Sequence, residues 1–297
     1  MTPRSAQARR VMGNPDTTLA ISLCDTAADH DAVALIAPLG IEADFSSSVA
    51  FSSPPGWHVD IVREVRTGLL AAIMVPPEPR ARPEIRHRFS HGGPRLSDAC
   101  FRPEECALTM AADELAADIR RIGCADRDGH AGLVAIVEET NRRFDYGEVP
   151  YEQRWYAGAP HVPQVACVAG NCIDINTYLV AALRSAGYEA AYITCYFVPH
   201  AEGPAAAGMH CWVRTRFGAI VEDWDIAHFK KLGTQTVTPK LNPIPGHRFP
   251  LSYGRSHVYP WRGLDIQVST PSQPHWVLRS GDVVWPEPSP IVSIADH

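Results

Sequence analysis

No stretch of this chain is both apolar and long enough to cross a bilayer as a helix, which takes about 20 residues. The best apolar runs, Ala32–Ile41 and Leu69–Val75, fall short of that. The N-terminal MTPRSAQARR is polar, and no apolar signal-peptide core follows it. No CxxC pair occurs among the eight cysteines, so a structural zinc site has no local signature. No glycine-rich nucleotide cradle, internal repeat or low-complexity tract is found. Positive charge is not in excess either. The net charge is −6, which argues against nucleic acid or an acidic membrane as a partner. These absences point to a cytoplasmic protein with reduced thiols, no metal and no cofactor.

What is present suits a folded protein of one or two domains. The chain has 297 residues, 45% hydrophobic and 20% charged, enough to bury a core without disulfides. Residues 1–16 read as a flexible N-terminus and 17–100 as a β-rich N-terminal domain. Leu19–Leu23, Ala32–Ile36, Val59–Val65 and Leu69–Val75 are the expected strands there. Arg80, Arg82, Arg86 and Arg88 read as a solvated strand face. Helical spacing predicts helices over Met110–Ile122 and His130–Arg143. A third helix opens at Asn171-Cys172, with Asn171 as N-cap and Asp174 closing a capping box, and stops at Gly187. Tyr188–Val198 reads as a strand. Met209–Arg216 and Ala219–Asp225 read as a hairpin turning at Phe217-Gly218. From Gly233 onward the prolines predict mostly loops, with short strands at Trp276–Leu278 and Val283–Trp285.

The candidate chemistry sits on the third helix and the hairpin. A cysteine acts as a thiolate, and Cys172 lies at the positive end of a helix, where the dipole and free N–H groups favour negative charge. Those N–H groups can also hold an oxyanion. His210 begins a strand and shares its face with Trp212. A turn at Phe217-Gly218 puts Asp225 across from His210 and Asp223 one diagonal step away. Asp225 is favoured as the carboxylate that orients the imidazole, with Asp223 the alternative. Structural readings compete: a buried inert thiol for Cys172, solvated strand-end charges for the acids, or metal ligation by Asp223, Asp225 and His228. That last set lacks a recognised metal-site spacing.

These motifs resemble the bacterial transglutaminase-like superfamily. Gly170-Asn171-Cys172-Ile173-Asp174 is similar to its GxCxD helix start, and the helix end Ala182–Ala190 to its LRxxGIPAR-type segment. His210-Cys211-Trp212 is similar to its HxW strand, with an acid following about fifteen residues later. Phe101-Arg102-Pro103 and Tyr253–Gly263 resemble flanking segments of the same family. The likeness covers about residues 100–265. Three departures stand out, and they bear on substrate choice more than on the triad. Cys211 replaces a common Ala, Arg214 stands where an acid is common, and Ser256-His257 replaces Asp-Tyr.

The resemblance implies an α+β fold with a papain-like core, in which the cysteine-bearing helix packs on an antiparallel sheet carrying His and Asp. It implies a catalytic core over 101–265, with 266–297 as a C-terminal extension packing on it. The implied activity is that of a cysteine peptidase or amidase working through a Cys172–His210–Asp225 triad and a thioester on a peptide or small amide. Gln164 is the candidate for a second oxyanion donor, with Asn171, Asp174 and Trp212 in support. The alternatives are a non-catalytic binding module that keeps the fold and an acyltransferase or transglutaminase that uses an amine acceptor.

Overall fold

The computed structural model describes residues 16–102, 106–147, 159–163, 166–201 and 208–295. Gln164 and Pro103 lie outside the described residues. The N-terminal region contributes β1 (Thr17–Ser22), β2 (Ala32–Pro38), β3 (Ser46–Ser52), β4 (His58–Arg63), β5 (Leu70–Val75) and β6 (Glu84–His91). The middle of the chain contributes α1 (Asp113–Ile122), α2 (Gly129–Arg143), β7 (Phe144–Tyr146), β8 (Val168–Gly170), α3 (Cys172–Ser185), β9 (Glu189–Pro199), β10 (Gly208–Phe217), β11 (Ile220–Trp224) and α4 (Ile226–Lys231). It ends with β12 (Gly246–Tyr253), β13 (His257–Trp261), β14 (Leu264–Val268), β15 (His275–Leu278), β16 (Val283–Val284) and β17 (Ile291–Ile294).

The catalytic-type core is α+β, as expected. A four-stranded antiparallel sheet, ordered β11-β10-β9-β12, carries α3 on one face. Strand β9 alternates as its pattern requires. Ala190 and Tyr192 face α3, while Ile193, Cys195 and Phe197 face a second cluster with Trp212 and Tyr253. Helix α3 was expected to bury one face. It is buried almost throughout, because the sheet covers one side while α1 and α2 pack elsewhere on it. Its cap forms as the sequence predicts. Asn171 Oδ1 accepts from the N–H of Ile173 at 2.9 Å, and Asp174 Oδ2 accepts from the N–H of Asn171 at 2.9 Å. At the far end Gly187, with φ +87°, allows a Schellman closure: its N–H donates to Arg184 O and that of Tyr188 to Leu183 O.

The N-terminal strands form a sandwich of two sheets, ordered β17-β1-β6-β3 and β16-β15-β2-β5-β4. Leu19, Ile21, Leu35, Met74, Phe89 and Trp276 fill the space between them. Strand β6 alternates cleanly, with Ile85, His87 and Phe89 inward and Arg86 and Arg88 outward, so this part of the arginine cluster is a solvated strand face. The C-terminal residues prove more regular than their prolines suggest. Strand β12 lies at the edge of its sheet, where Pro250 is tolerated beside a register shift. Strands β15 and β17 pair with β2 and β1, so the tail over 266–297 supplies strands to the N-terminal sheets.

Because Trp276 is fully buried on β15, between the two sheets, Trp276→Ala is expected to cost about 3–5 kcal/mol. Urea denaturation followed by circular dichroism reads this as a lowered midpoint with little change in slope.

Candidate active site

Three elements bring the candidate side chains together. Cys172 is the first residue of α3 and is 7% exposed. The Asn171 cap takes up the N–H groups of Ile173 and Asp174 and leaves that of Cys172 aside. His210 lies near the start of β10 and is 3% exposed. Its Nε2 is 2.9 Å from Asp225 Oδ2. The ring nitrogen left for the thiol is Nδ1, and the imidazole favours the Cys172 thiolate through hydrogen bonding and charge.

Asp225 reaches His210 by a route the hairpin argument did not foresee. The turn sits at Gly218-Ala219, with Phe217 paired to Ile220 and Gly218 at φ +60°. Val213 therefore faces Trp224 and Arg214 faces Asp223, a register shifted from the expected one. The strand ends at Trp224, and Asp225 is the N-cap of α4. Its two oxygens divide the work. Oδ1 accepts from the N–H of His228 at 3.0 Å, capping the helix, and Oδ2 turns to His210. Asp223 is not brought to His210. It accepts from Trp212 Nε1 at 2.7 Å and from Arg214 Nε at 2.8 Å, and Arg214 also reaches Asp44.

Two further groups meet Asp225. The buried guanidinium of Arg248 on β12 donates to Oδ2, and its Nε donates to Asn242 Oδ1 at 2.8 Å. The Arg248 guanidinium lies 4.5 Å from the centre of the Trp212 ring, a cation–π contact. Trp212 thus supports Arg248 from below. The His228 ring stacks on that of His210, with centroids 3.8 Å apart and planes 3° from parallel. His228 Nδ1 is 2.9 Å from Asp225 Oδ2, too oblique for a full hydrogen bond. His210, Asp225 and His228 offer atoms close enough for a metal ion. The guanidinium on the same carboxylate oxygen opposes that use, because a second cation would meet a fixed positive charge.

The charges are mutually adjusted. Burial opposes ionisation of Asp225, but the His210 and Arg248 charges and the bond from His210 hold its carboxyl well below the usual range. Burial also works against protonated His210, yet Asp225 and then Cys172 push its pKa up. Burial, reinforced by the His210 charge, lowers His228 to about 4, so the stacked partner is neutral. The Cys172 thiol is held well below its ordinary value, first by a hydrogen bond from Cys211 and then, against burial, by His210. Asn176 ties the pieces together. Its Nδ2 donates to Cys172 O at 2.8 Å and to Cys211 O at 2.9 Å.

Sequence reasoning did not assign roles to Arg248, Asn176 or Cys211. Arg248 carries no local signal, since it lies in a segment read as loop. Cys211 did carry one, as a departure from the expected Ala.

The sequence model of the transglutaminase-like superfamily matches residues 116–224. The match spans Cys172 and His210 and ends beside Asp225. No curated protein matches the chain. Among solved structures, a candidate cysteine protease from Cytophaga hutchinsonii aligns over 96% of this chain and 99% of its own, at 10% identity and a TM-score of 0.45. A candidate protease from Parabacteroides distasonis aligns over 65% of this chain and 42% of its own, at 14% identity and a TM-score of 0.29.

Asp225→Asn is expected to slow iodoacetamide alkylation of Cys172 at pH 6 by at least about tenfold, because His210 loses the partner that keeps it protonated and so stops favouring the thiolate. Asp223→Asn is expected to leave that rate unchanged and to lower thermal stability, because Arg214 loses its main partner. Mass-spectrometric kinetics at the Cys172 peptide and a melting curve separate the two. Over residues 116–224, which hold the candidate nucleophile and histidine, the chain is similar to the transglutaminase-like superfamily.

Proposed function

We propose that the protein is a cysteine-dependent amide hydrolase that acts on a peptide or small amide through Cys172, His210 and Asp225. The observation that supports this most is the buried row itself: a helix-start thiol whose pKa an imidazole lowers, and that imidazole held at its other nitrogen by a carboxylate. A thiolate–imidazolium pair is the resting form that such charges favour.

In this reading the Cys172 thiolate attacks the amide carbon. The tetrahedral oxyanion rests on the Cys172 N–H at the start of α3. His210 Nδ1 gives its proton to the leaving amine, and a thioester remains. Neutral His210 then takes a proton from water, which attacks the thioester and regenerates the thiolate and imidazolium. Asp225 stays ionised throughout and holds the ring by Nε2. Arg248 and the α4 backbone fix Asp225 in turn. A primary amine in place of water would give transamidation by the same steps. Gln164 keeps its proposed place as a second oxyanion donor.

The pH dependence follows from the directions of the shifts. The Cys172 pKa is lowered, so its thiolate persists as pH falls below the ordinary thiol range. The His210 pKa is raised, so its proton persists as pH rises past the ordinary imidazole range. Activity therefore peaks between the two, falling on the acid side as the thiolate is protonated and on the alkaline side as the imidazolium is lost. Cys172 should react with iodoacetamide at pH 6 at least about tenfold faster than exposed Cys24. Amine release from fluorogenic peptide amides should follow the same bell and vanish in Cys172→Ala. Equal labelling of Cys172 and Cys24 at pH 6 overturns the proposal.

A further inference from the structure

Cys211 has no part in the reaction just described, yet it lies beside the nucleophile, in the same apolar cluster and tied to it by one side-chain amide. It follows His210 on β10, is fully buried, and belongs to the apolar cluster of α3 rather than to that of Trp212. Asn176 Nδ2 donates to its sulfur, and the interaction with Cys172 raises its pKa while lowering that of Cys172. Asn176 Nδ2 lies 3.6 Å from Cys211 Sγ and binds the carbonyl oxygens of both cysteines, so one amide clamps the two backbones together. Burial and then the Cys172 charge keep the Cys211 proton in place. The result is a thiol of lowered pKa and a thiol of raised pKa on backbones clamped by one amide, in a protein whose cysteines are all free.

The geometry points to Cys211 as the resolving thiol of Cys172, which lets the nucleophile be oxidised by a hydroperoxide and recovered by a thiol reductant. This rests on the reading of Cys172 as a reactive thiolate and adds a modification site to it. The Cys172 thiolate attacks the outer oxygen of the hydroperoxide. The O–O bond breaks, the departing oxygen takes the proton of the His210 imidazolium and leaves as water or an alcohol, and the sulfur, oxidised by two electrons, becomes a sulfenic acid. That step removes the negative charge facing Cys211. The Cys211 sulfur then attacks the Cys172 sulfur. The S–S bond forms, the S–O bond breaks, and the hydroxyl leaves as water with the Cys211 proton. A dithiol reductant reverses the closure by exchange. Cys195 is a poorer partner: it is fully buried on the other face of β9, and burial raises its pKa to about 12.

The test treats the full chain with a small excess of hydrogen peroxide, blocks free thiols with N-ethylmaleimide and maps the peptides. Cleavage at Arg154, Arg184 and Arg214 places Cys167 with Cys172 and Cys195 with Cys211. Fragment ions must therefore assign the bonded sulfurs. A Cys172–Cys211 cross-link is expected, with dithiothreitol restoring Cys172 alkylation to its untreated level. In Cys211→Ser, dithiothreitol should fail to restore it, because Cys172 advances to sulfinic acid. A measurement on the unaltered chain stands beside the variant. Dimedone should label Cys172 when added with peroxide but not when added afterwards. A persistent dimedone-reactive Cys172 beside a free Cys211, or a cross-link to Cys195 or Cys167, overturns the inference and leaves the proposed hydrolase standing. A Cys172 that neither alkylates at pH 6 nor oxidises overturns both.

Discussion

A carboxylate with no exposure to water is unstable unless other groups replace the water it has lost. Asp225 is such a group, and the core is arranged around its needs. One oxygen takes a backbone N–H of α4, and the other meets His210 and Arg248. The His210 imidazole comes from β10, the guanidinium from β12, and the acid from the junction of β11 and α4. Each element is held in place by the charge it helps to compensate. The neutral His228 ring completes the enclosure, stacking on His210 without adding a second positive charge. Specificity of position, more than net stability, is what such an arrangement confers.

The thiol stands at the other end of the row. Its proton affinity is lowered from two directions, by Cys211 on the α3 side of β10 and by His210. Asn176, one turn into α3, fixes the helix start against β10 through the carbonyl oxygens of both cysteines. The helix that carries the thiol therefore also sets its distance from the strand that carries the imidazole.

Local signals were the legible part of the sequence. The α3 cap at Asn171 and Asp174, its Gly187 stop and the alternation of β9 depend on neighbours a few residues away, and each forms as expected. Pairing across distance was harder to read. The hairpin register depended on which residues filled a two-residue turn, and that choice moved every partner. Asp225 still met His210, but through the cap of a short helix that the spacing did not announce. Arg214 explains the fate of Asp223. A residue seen only as a departure from the family pattern occupies the competing carboxylate. Arg248 was hidden because its strand is broken by Pro250 and reads as loop.

The sandwich joins the two ends of the chain, since β1 lies between β6 and β17 and β2 between β5 and β15. Leu19 pairs with Ile294, and the entire α+β core is inserted between them in sequence. On a ribosome, the first strands are made long before their last neighbours exist, and they wait with an open edge while the middle of the chain is synthesised. The closing of that edge joins residues about 275 positions apart, and loop-closure entropy grows with that separation. A growing chain therefore carries an unpaired sheet border until β15 and β17 emerge.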